Sequence, residues 1–461
     1  MSNYNFSRTP IKVPIVKTRH RSIKTPIPPP GTEDILKKLE LYESRSMQGQ
    51  MPIVWDRAED FNIYDKHGNK WIDFTSTIFV ANVGHGNQIV RNAVKEVLEK
   101  PLLHTYAYVN EERVRYQKKL IKFAGSSFNK TFLLSAGTEA TEAALKLMRM
   151  NGQKIGKRRL GVICIEGNWH GRTMGAQMMS GKPSQKKWIG YHDPNIHHIS
   201  FPYPWVLDGK TGEEFLKKGL DNLEKSGIDI KNDVCGFMLE TFQGWGAIFY
   251  PTDFVQSIEK ICEENNILLT FDEMQSGFAR TGKKFGYEHY SVQPDLLCCG
   301  KGIASGFPLS AVIGSAEIMD LPDVGNMSST YSANPIVCAA GLATLEEIKK
   351  LDLVRETKRK GRIFLDKLNR LKEKYPDRIS WLMGNGLIAA LLFKTPDKQE
   401  PDPIFPSLVS EKAMQKGLLV VHTGIESIKL APPLTITDEA LLEGLSVLDE
   451  SIEDTINSNA V

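Results

Sequence analysis

The chain of 461 residues lacks the features that mark a membrane protein, a secreted protein or a nucleic-acid-binding protein. No apolar run approaches the roughly 18–20 residues of a membrane span. The first residues lack the charged-then-apolar layout of a secretory signal. A formal net charge of +3 gives no reason to expect a nucleic acid or a membrane surface as partner. We therefore expect a soluble, cytoplasmic protein of ordinary globular composition.

Cysteine is scarce, and its spacing excludes the usual frameworks. Most of the six cysteines lie in apolar runs, and none form a C-x-x-C pair, so neither a disulfide framework nor a metal site is expected. Because free cysteine is often buried, we expect reduced core residues in a reducing compartment. The cysteines are Cys164, Cys235, Cys262, Cys298, Cys299 and Cys338.

Acidic residues are absent from residues 1–30, which carry several lysines and arginines. A transit peptide would explain this bias, but Pro10, Pro14 and Pro26 would break its amphipathic helix. A basic arm that lies on a partner subunit is the favoured interpretation.

The middle of the chain has the alternating pattern of an α/β domain. From about residue 87 to residue 341, short apolar segments alternate with helical segments. This rhythm predicts a largely parallel sheet with helices on both faces. The predicted strands are 131–134, 160–165, 234–239, 267–271, 296–299 and 310–313.

The flanking segments predict a second, smaller domain. Residues 1–86 combine the arm with a β-hairpin over 61–74, in which alternating aromatics flank a Gly-Asn turn. Helices are predicted over 336–348 and 353–374. Residues 342–461 would form a smaller C-terminal domain of mixed α and β structure.

One lysine ends the most informative apolar run. Residues 295–306 read DLLCCGKGIASG, so Lys301 follows a buried strand and has glycines on both sides. An ammonium there loses water without gaining an obvious carboxylate, which lowers its pKa and makes the neutral amine accessible. A neutral amine at a strand end can form a Schiff base with an aldehyde cofactor.

A carboxylate ends a second apolar run, upstream of the first. Residues 266–275 read NILLTFDEMQ, which places Asp272 at the carboxyl end of a strand. Pyridoxal phosphate needs an anion at its pyridinium nitrogen and an amine at its aldehyde, so Asp272 and Lys301 suit it. Met274 would point to the same side as Asp272 and support one ring face. Gln275 can reach the ring hydroxyl.

Two further segments are weak alone but agree with this cofactor. Residues 133–147 read LLSAGTEATEAALKL, a strand, a small-residue turn and a helix whose start forms an anion site at Gly137 and Thr138. The same pattern describes a plain helix cap equally well. Trp169 follows a predicted strand and can stack on a pyridine ring or belong to the core. The neighbouring His170 fits a structural role better than metal binding.

These motifs together resemble the class III, or omega-type, aminotransferases of the fold-type-I pyridoxal-phosphate enzymes, from about residue 62 to residue 448. The resemblance implies a large domain with a mostly parallel seven-stranded sheet and a smaller α+β C-terminal domain. It implies that Lys301 is the Schiff-base lysine and proton shuttle. The implied cofactor contacts are Asp272 on the ring nitrogen, Trp169 on the ring face, Gln275 on the ring hydroxyl, and Gly137 and Thr138 on the phosphate.

The resemblance also implies a homodimer. In such enzymes a threonine from the other subunit completes the phosphate site, and here it matches Thr330 within SSTYSANP, residues 328–335.

The substrate side departs from the family pattern. Glu240 matches a gate glutamate, which in relatives pairs with an arginine when an amine enters and swings aside for glutamate. The matching arginine position is Lys429, which keeps the positive charge without the two-pronged carboxylate grip. Arg172 matches an arginine that holds a distal carboxylate in some relatives, or it is a structural hydrogen-bond donor. Phe79 is predicted to line the substrate pocket.

The predicted reaction is a ping-pong transamination between an amine or amino acid, with a terminal amine favoured, and an oxo acid such as 2-oxoglutarate or pyruvate. The same residues support a racemase or epimerase, a decarboxylating transaminase or a lyase. A nucleotide-binding protein fits poorly, because residues 300–306 have one residue too many for G-x-G-x-x-G.

Overall fold

A computed structural model describes residues 4–459 of the chain. The chain divides into two compact units. The large unit comprises Gln88–Gly244 and Ile248–Val354. The small unit comprises the chain up to Asn87, the short segment Trp245–Ala247 and the chain from Arg355 onward. Among the residues that the structure describes, no helix has the length and apolar character needed to cross a membrane.

The large unit is built on a seven-stranded, mostly parallel sheet, which confirms the predicted fold class. Ser310–Gly314 runs antiparallel to both of its neighbours, and the other strand pairs of this sheet are parallel. In spatial order the strands are Lys130–Leu134, Ser310–Gly314, Leu296–Cys299, Leu268–Asp272, Val234–Glu240, Gly161–Ile165 and Ile196–Ile199.

The central strands are apolar throughout because helices cover them. Every residue of Val234–Glu240 and of Leu268–Asp272 is buried, as expected for parallel strands with both faces covered. Helix Gly137–Lys154 packs on this sheet through small residues such as Ala140 and Ala144. The helices of the large unit are Gln88–Leu98, Glu111–Ala124, Gly137–Lys154, Met174–Met179, Gly212–Lys225, Ile230–Asp233, Thr252–Asn265, Ala316–Met319 and Pro335–Lys350.

The large unit extends further along the chain than the expected boundary at residue 341. It includes the whole helix Pro335–Lys350 and ends at Val354. This helix belongs to the large unit because it packs against Gln88–Leu98 and Glu111–Ala124.

The small unit contains two sheets. In one, the predicted hairpin is present as Asn62–Tyr64 paired with Lys70–Asp73, and Leu418–Leu419 adds to it in parallel. The first sheet also contains Val16–Lys17, Ser22–Ile23 and Arg57–Glu59. The second is antiparallel, with the order Ile379–Asn385, Ile388–Phe393, Ser427–Leu430 and Val421–His422. The helices of this unit include Thr32–Tyr42, Phe405–Gln415 and Asp438–Asn459, and the helix Leu353–Lys374 continues into it.

The basic N-terminal arm packs against its own chain. The sequence favoured an arm that lies on a partner subunit and did not predict these contacts. Ile23 and Ile27 are fully buried in a cluster with Trp71. Arg21 forms an ion pair with Glu443, with 2.6 Å between Nε and Oε1. The arm is therefore an integral part of the small unit.

Candidate active site

Three neighbouring parallel strands bring the predicted residues to one edge of the large sheet. Asp272 ends its strand, and its Cα pairs with that of Glu240, the last residue of the next strand. On the other side Asp272 pairs with Cys298, and Lys301 lies two residues beyond the end of that strand. Because the carboxyl ends of parallel strands meet at one edge, this edge is where an open α/β sheet binds ligands.

Lys301 lies at this edge in a strained backbone conformation. Its φ is 45°, in the left-handed region that costs a non-glycine residue about 1–2 kcal/mol. The side chain is partly accessible, but loss of solvation by the surrounding protein lowers the pKa of Lys301 below its ordinary value. The carboxylates of Asp272 and Glu240 act in the opposite direction without cancelling this effect. The amine is therefore easier to deprotonate than an exposed lysine.

Asp272 is buried and held by two donors. Its Oδ2 lies 2.9 Å from Nδ1 of His170, and its Oδ1 accepts a hydrogen bond from the backbone N of Met274 at 3.1 Å. The side chains of Asp272 and His170 are almost completely buried. The sequence interpretation gave His170 only a structural role and missed this contact. The available signal was its position just after a strand that ends at the same sheet edge.

The predicted phosphate turn is the start of helix Gly137–Lys154. The carboxylate of Glu139 accepts the amides of Ser135 and Ala136 at 2.8 and 2.9 Å. The amides of Gly137 and Thr138 come next, and the first amides of a helix have no intrahelical acceptor. Anions bind at such helix starts.

Met274 packs against the glycines on both sides of the site. A Cβ on Gly137 would lie 2.8 Å from its sulfur, and a Cβ on Gly300 would lie 2.4 Å from it. The thioether therefore occupies space that only glycine leaves open at these positions. Met274 is part of the buried core cluster that also contains Leu134 and Ala140, and its predicted support of a ring face stays a prediction.

Trp169 is partly exposed and has a cation on one face of its ring. The guanidinium carbon of Arg172 lies 4.5 Å from the Trp169 ring centroid, within the range of a cation–π contact. No carboxylate of residues 4–459 forms an ion pair with Arg172. The exposed guanidinium thus lies beside the indole, and its predicted contact with a distal carboxylate stays a prediction.

Glu240 is bound on several sides. Its Oε2 accepts the backbone amides of Trp169 and Gly244 at 3.0 and 3.1 Å. Its Oε1 lies 3.3 Å from Nε2 of Gln275. The structure therefore brings Glu240 and Gln275 together and ties both to the loop that carries Trp169.

Thr330 lies on the surface of the large unit. It lines an open cavity of about 870 Å³ together with Glu139 and Thr173. Its carbonyl lies 2.5 Å from Nε2 of His104. The exposed position is consistent with a contact to a partner subunit, which stays a prediction.

The two predicted substrate residues of the small unit lie against each other. Lys429 is buried, with 1% of its surface exposed, and its Nζ lies 4.3 Å from the ring centroid of Phe79. Phe79 ends a left-handed turn, Ser76–Phe79, in which all four residues have positive φ. Lys429 is therefore not a solvated surface lysine, although its substrate role stays a prediction.

The donor set of the large unit fits pyridoxal phosphate. A desolvated amine at Lys301, a buried carboxylate at Asp272 and the first amides of helix Gly137–Lys154 offer an aldehyde partner, an anion and a phosphate cradle. Gly137 and Gly300 leave room for the Met274 side chain beside these groups.

Comparisons with known proteins agree with this site. The family model for class III aminotransferases matches residues 44–452. A 4-aminobutyrate aminotransferase of Mycobacterium leprae is 32% identical over 94% of this chain and 98% of its own length. An alanine/serine racemase of Pyrococcus horikoshii is 30% identical over 98% of this chain and 96% of its own length.

A solved structure also matches the fold. An ornithine aminotransferase of Toxoplasma gondii, described with partial occupancy of PLP at its active site, superposes with a TM-score of 0.81. It is 27% identical, and the match covers 93% of this chain and 96% of that structure.

The fold and the sheet-edge site define a fold-type-I enzyme that uses pyridoxal phosphate. Within that class, the chain belongs to the class III aminotransferases. Its activity is the transfer of an amino group.

Proposed function

We propose that the enzyme moves an amino group between an amine or amino acid with a terminal amine and an oxo acid such as 2-oxoglutarate or pyruvate. The observation that carries this proposal is the pair formed by a desolvated Lys301 and a buried Asp272 at one sheet edge. The relatives named for 4-aminobutyrate and ornithine support the terminal amine, because both compounds carry an amino group at a chain end.

Pyridoxal phosphate, when bound, supplies an aldehyde that takes up the amino group and a ring that withdraws electrons from the substrate carbon. Lys301 would hold the aldehyde through its side-chain amine. The pKa of its Nζ is lowered by desolvation. This amine can therefore take the proton from the substrate carbon and pass it to the cofactor carbon. The lowered pKa leaves the amine neutral more often, as a base requires.

The remaining large-unit residues bind and orient the cofactor. The carboxylate of Asp272, held by His170, keeps a proton on the ring nitrogen. Trp169 would pack against one ring face and Met274 would support the other. Gln275 binds the ring hydroxyl, and the amides of Gly137 and Thr138 bind the phosphate.

The proposed substrate-binding residues are Arg172, Lys429 and Phe79. Arg172, exposed on the Trp169 ring, binds the distal carboxylate of glutamate or 2-oxoglutarate. Lys429 and Phe79 form a cation–π pair that presents a single positive charge and an aromatic wall. A lysine gives a weaker and less directional carboxylate contact than an arginine.

A panel of amines assayed against pyruvate and 2-oxoglutarate tests this proposal. We expect the highest turnover with a terminal amine and 2-oxoglutarate, and loss of the preference for 2-oxoglutarate over pyruvate in Arg172→Gln. Racemisation is the second candidate, because a relative of similar identity is an alanine/serine racemase. Formation of the D-amino acid from one L-amino acid without any oxo acid would favour that candidate.

We also propose a homodimer in which Thr330 of the partner subunit completes the phosphate site. The surface around Thr330 is apolar and exposed. Two separate segments of the chain form it, and a hydrogen bond from the Asn110 side chain to the Ala333 carbonyl joins them. Its exposed side chains are Leu102, Leu103, Tyr106, Tyr108, Val109 and Tyr331. Exposed apolar patches of this kind mark protein interfaces.

Mixed dimers test this arrangement. If Thr330 acts across the interface, a homodimer of Lys301→Ala has no intact site. A homodimer of Thr330→Ala has none either. Mixing the two creates one site with both residues, so its affinity for pyridoxal phosphate should return to the wild-type value. No recovery on mixing, or a monomer in sedimentation, would refute the proposal.

We place the enzyme in the cytoplasm. The six cysteines are buried and free in the structure, as expected in a reducing compartment. Titration of the denatured, unreduced protein should find six thiols. A disulfide in protein isolated from its native cells, or recovery of the enzyme in a secreted fraction, would refute this localisation.

A further inference from the structure

Glu240 is tied to three separate segments of the large unit. The amide of Trp169 reaches it from the loop after Gly161–Ile165, and the amide of Gly244 reaches it from the turn that follows its own strand. Nε2 of Gln275 reaches it from the segment after Leu268–Asp272. These hydrogen bonds have a charged acceptor, and such bonds are stronger than neutral ones.

The turn after Glu240 is built to keep these contacts. A Cβ on Gly244 would lie 2.7 Å from Oε1 of Glu240 and 2.5 Å from Nε2 of Gln275, so only glycine allows the amide so close. The hydroxyl of Thr241 donates a hydrogen bond to buried Glu273 at 2.7 Å. The hydroxyl of Tyr290 donates to the Thr241 carbonyl at 2.6 Å.

Moving the Glu240 carboxylate away would remove an acceptor from two backbone amides next to the site. A buried donor without an acceptor is costly, and Gly244 is buried. The departure would also release Gln275 and the backbone that carries the Trp169 indole. A swinging glutamate is therefore disfavoured by the same contacts that organise the cofactor-facing residues.

We infer that Glu240 is a fixed positioning residue, which holds Trp169 and Gln275 in place for both halves of the reaction, and not a gate that moves between them. This inference rests on the proposed function and deepens it. A fixed Glu240 has the same role with an amine and with glutamate. A gate would instead stay in place for the amine and swing aside for glutamate.

The experiment compares Glu240→Ala and Glu240→Gln with the wild type. The control is Glu166→Gln, an exposed glutamate whose side chain accepts from Ser200. Three properties are measured: the affinity of the cofactor-free protein for pyridoxal phosphate, the visible circular dichroism of the bound cofactor without substrate, and the single-turnover rates with an amine and with L-glutamate.

For Glu240→Ala we expect an affinity for pyridoxal phosphate about tenfold weaker, the loss that one charge-assisted hydrogen bond carries. The circular dichroism should change before any substrate is added. Both single-turnover rates should fall by the same factor, within about twofold. Glu240→Gln should lie between Glu240→Ala and the wild type, because its amide oxygen still accepts from Trp169 and Gly244.

The inference is overturned if either variant keeps the wild-type affinity and circular dichroism while one half-reaction slows far more than the other. Glu240→Gln keeps the test decisive if Glu240→Ala does not fold. A wild type that binds pyridoxal phosphate but reacts with no amine would refute the proposed function instead. The affinity and circular dichroism measurements would still test Glu240.

Discussion

Nδ1 of His170 lies 2.9 Å from Oδ2 of Asp272, and both side chains are buried. Asp272 is the last residue of one strand of the large sheet and His170 follows another, and the strand Val234–Glu240 lies between those two strands. A hydrogen bond of this kind sets the orientation of the carboxylate. Asp272 thus depends on a residue far away in the sequence for its position in the site.

Replacing His170 with phenylalanine should impair the enzyme without removing any group that touches substrate. The loss of a hydrogen bond to a buried charge costs roughly 1.5–3 kcal/mol, so kcat/KM should fall about tenfold to a hundredfold. The affinity for pyridoxal phosphate should fall as well. His192→Phe, at an exposed position, serves as the control. Wild-type kinetics in His170→Phe would show that Asp272 does not need this donor.

Lys301 should be the residue that binds the cofactor covalently. Borohydride reduction of the wild type with pyridoxal phosphate should attach the label to Lys301, as read by peptide mass spectrometry, and Lys301→Ala should show no attachment. Lys186 is the matched control, because burial lowers the pKa of this second lysine too. Lys186→Met should still be labelled at Lys301. A label on Lys186 in the wild type would contradict the assignment.

Asp272→Asn should be far more damaging than its small change in shape suggests. The amide keeps the size of the side chain but removes the negative charge that holds a proton on the ring nitrogen. Turnover should fall by about a hundredfold or more, the scale of losing a preorganised electrostatic contact. The loss should exceed that of Glu240→Ala in the same assay. The reverse ranking would reject Asp272 as the partner of the ring nitrogen.

Gly181 should be irreplaceable, because it supports the loop that carries Trp169. Its amide donates to the Asn168 carbonyl at 2.7 Å, and an added Cβ would lie 2.1 Å from the backbone N of Gly167. Gly181→Ala should lower the free energy of unfolding by about 3 kcal/mol and weaken cofactor binding. In the helical control Gly219→Ala, the nearest atom is 3.3 Å away, and urea unfolding should change little. Equal stability of the two variants would contradict the close approach.

Stability should decrease in mild acid through His198. Desolvation, and then the charge of Lys186, lower the pKa of His198 to about 4, whereas an unfolded histidine has a pKa of about 6.5. Between these values the unfolded state binds a proton that the folded state does not. The contribution of neutral His198 to the free energy of unfolding is therefore fully present above pH 6.5. It is lost as the pH falls towards 4, by on the order of 3 kcal/mol.

Urea unfolding at several pH values checks this prediction. His198→Gln should flatten the acid side of the stability profile, while the exposed His192→Gln should follow the wild type. An unchanged acid slope in His198→Gln would assign the loss to other groups.

The strands of the large unit were predictable because burial on both faces produces continuous apolar runs. All six predicted strands are present, and their ends shift by only a residue or so. The strand Ile196–Ile199 was not predicted, because His197 and His198 interrupt its apolar character. It lies at the edge of the sheet, beside a single neighbouring strand, where polar side chains are tolerated.

Local sequence determined the strands, the helix starts and the positions of Lys301, Asp272 and Gly137 at strand and helix ends, because such features depend on residues close together in the chain. Tertiary structure decided the contacts among them. The spatial order of strands brings His170 to Asp272, and Trp169 and Gln275 to Glu240. No local pattern encodes that order, since it results from packing the helices on the sheet as a whole.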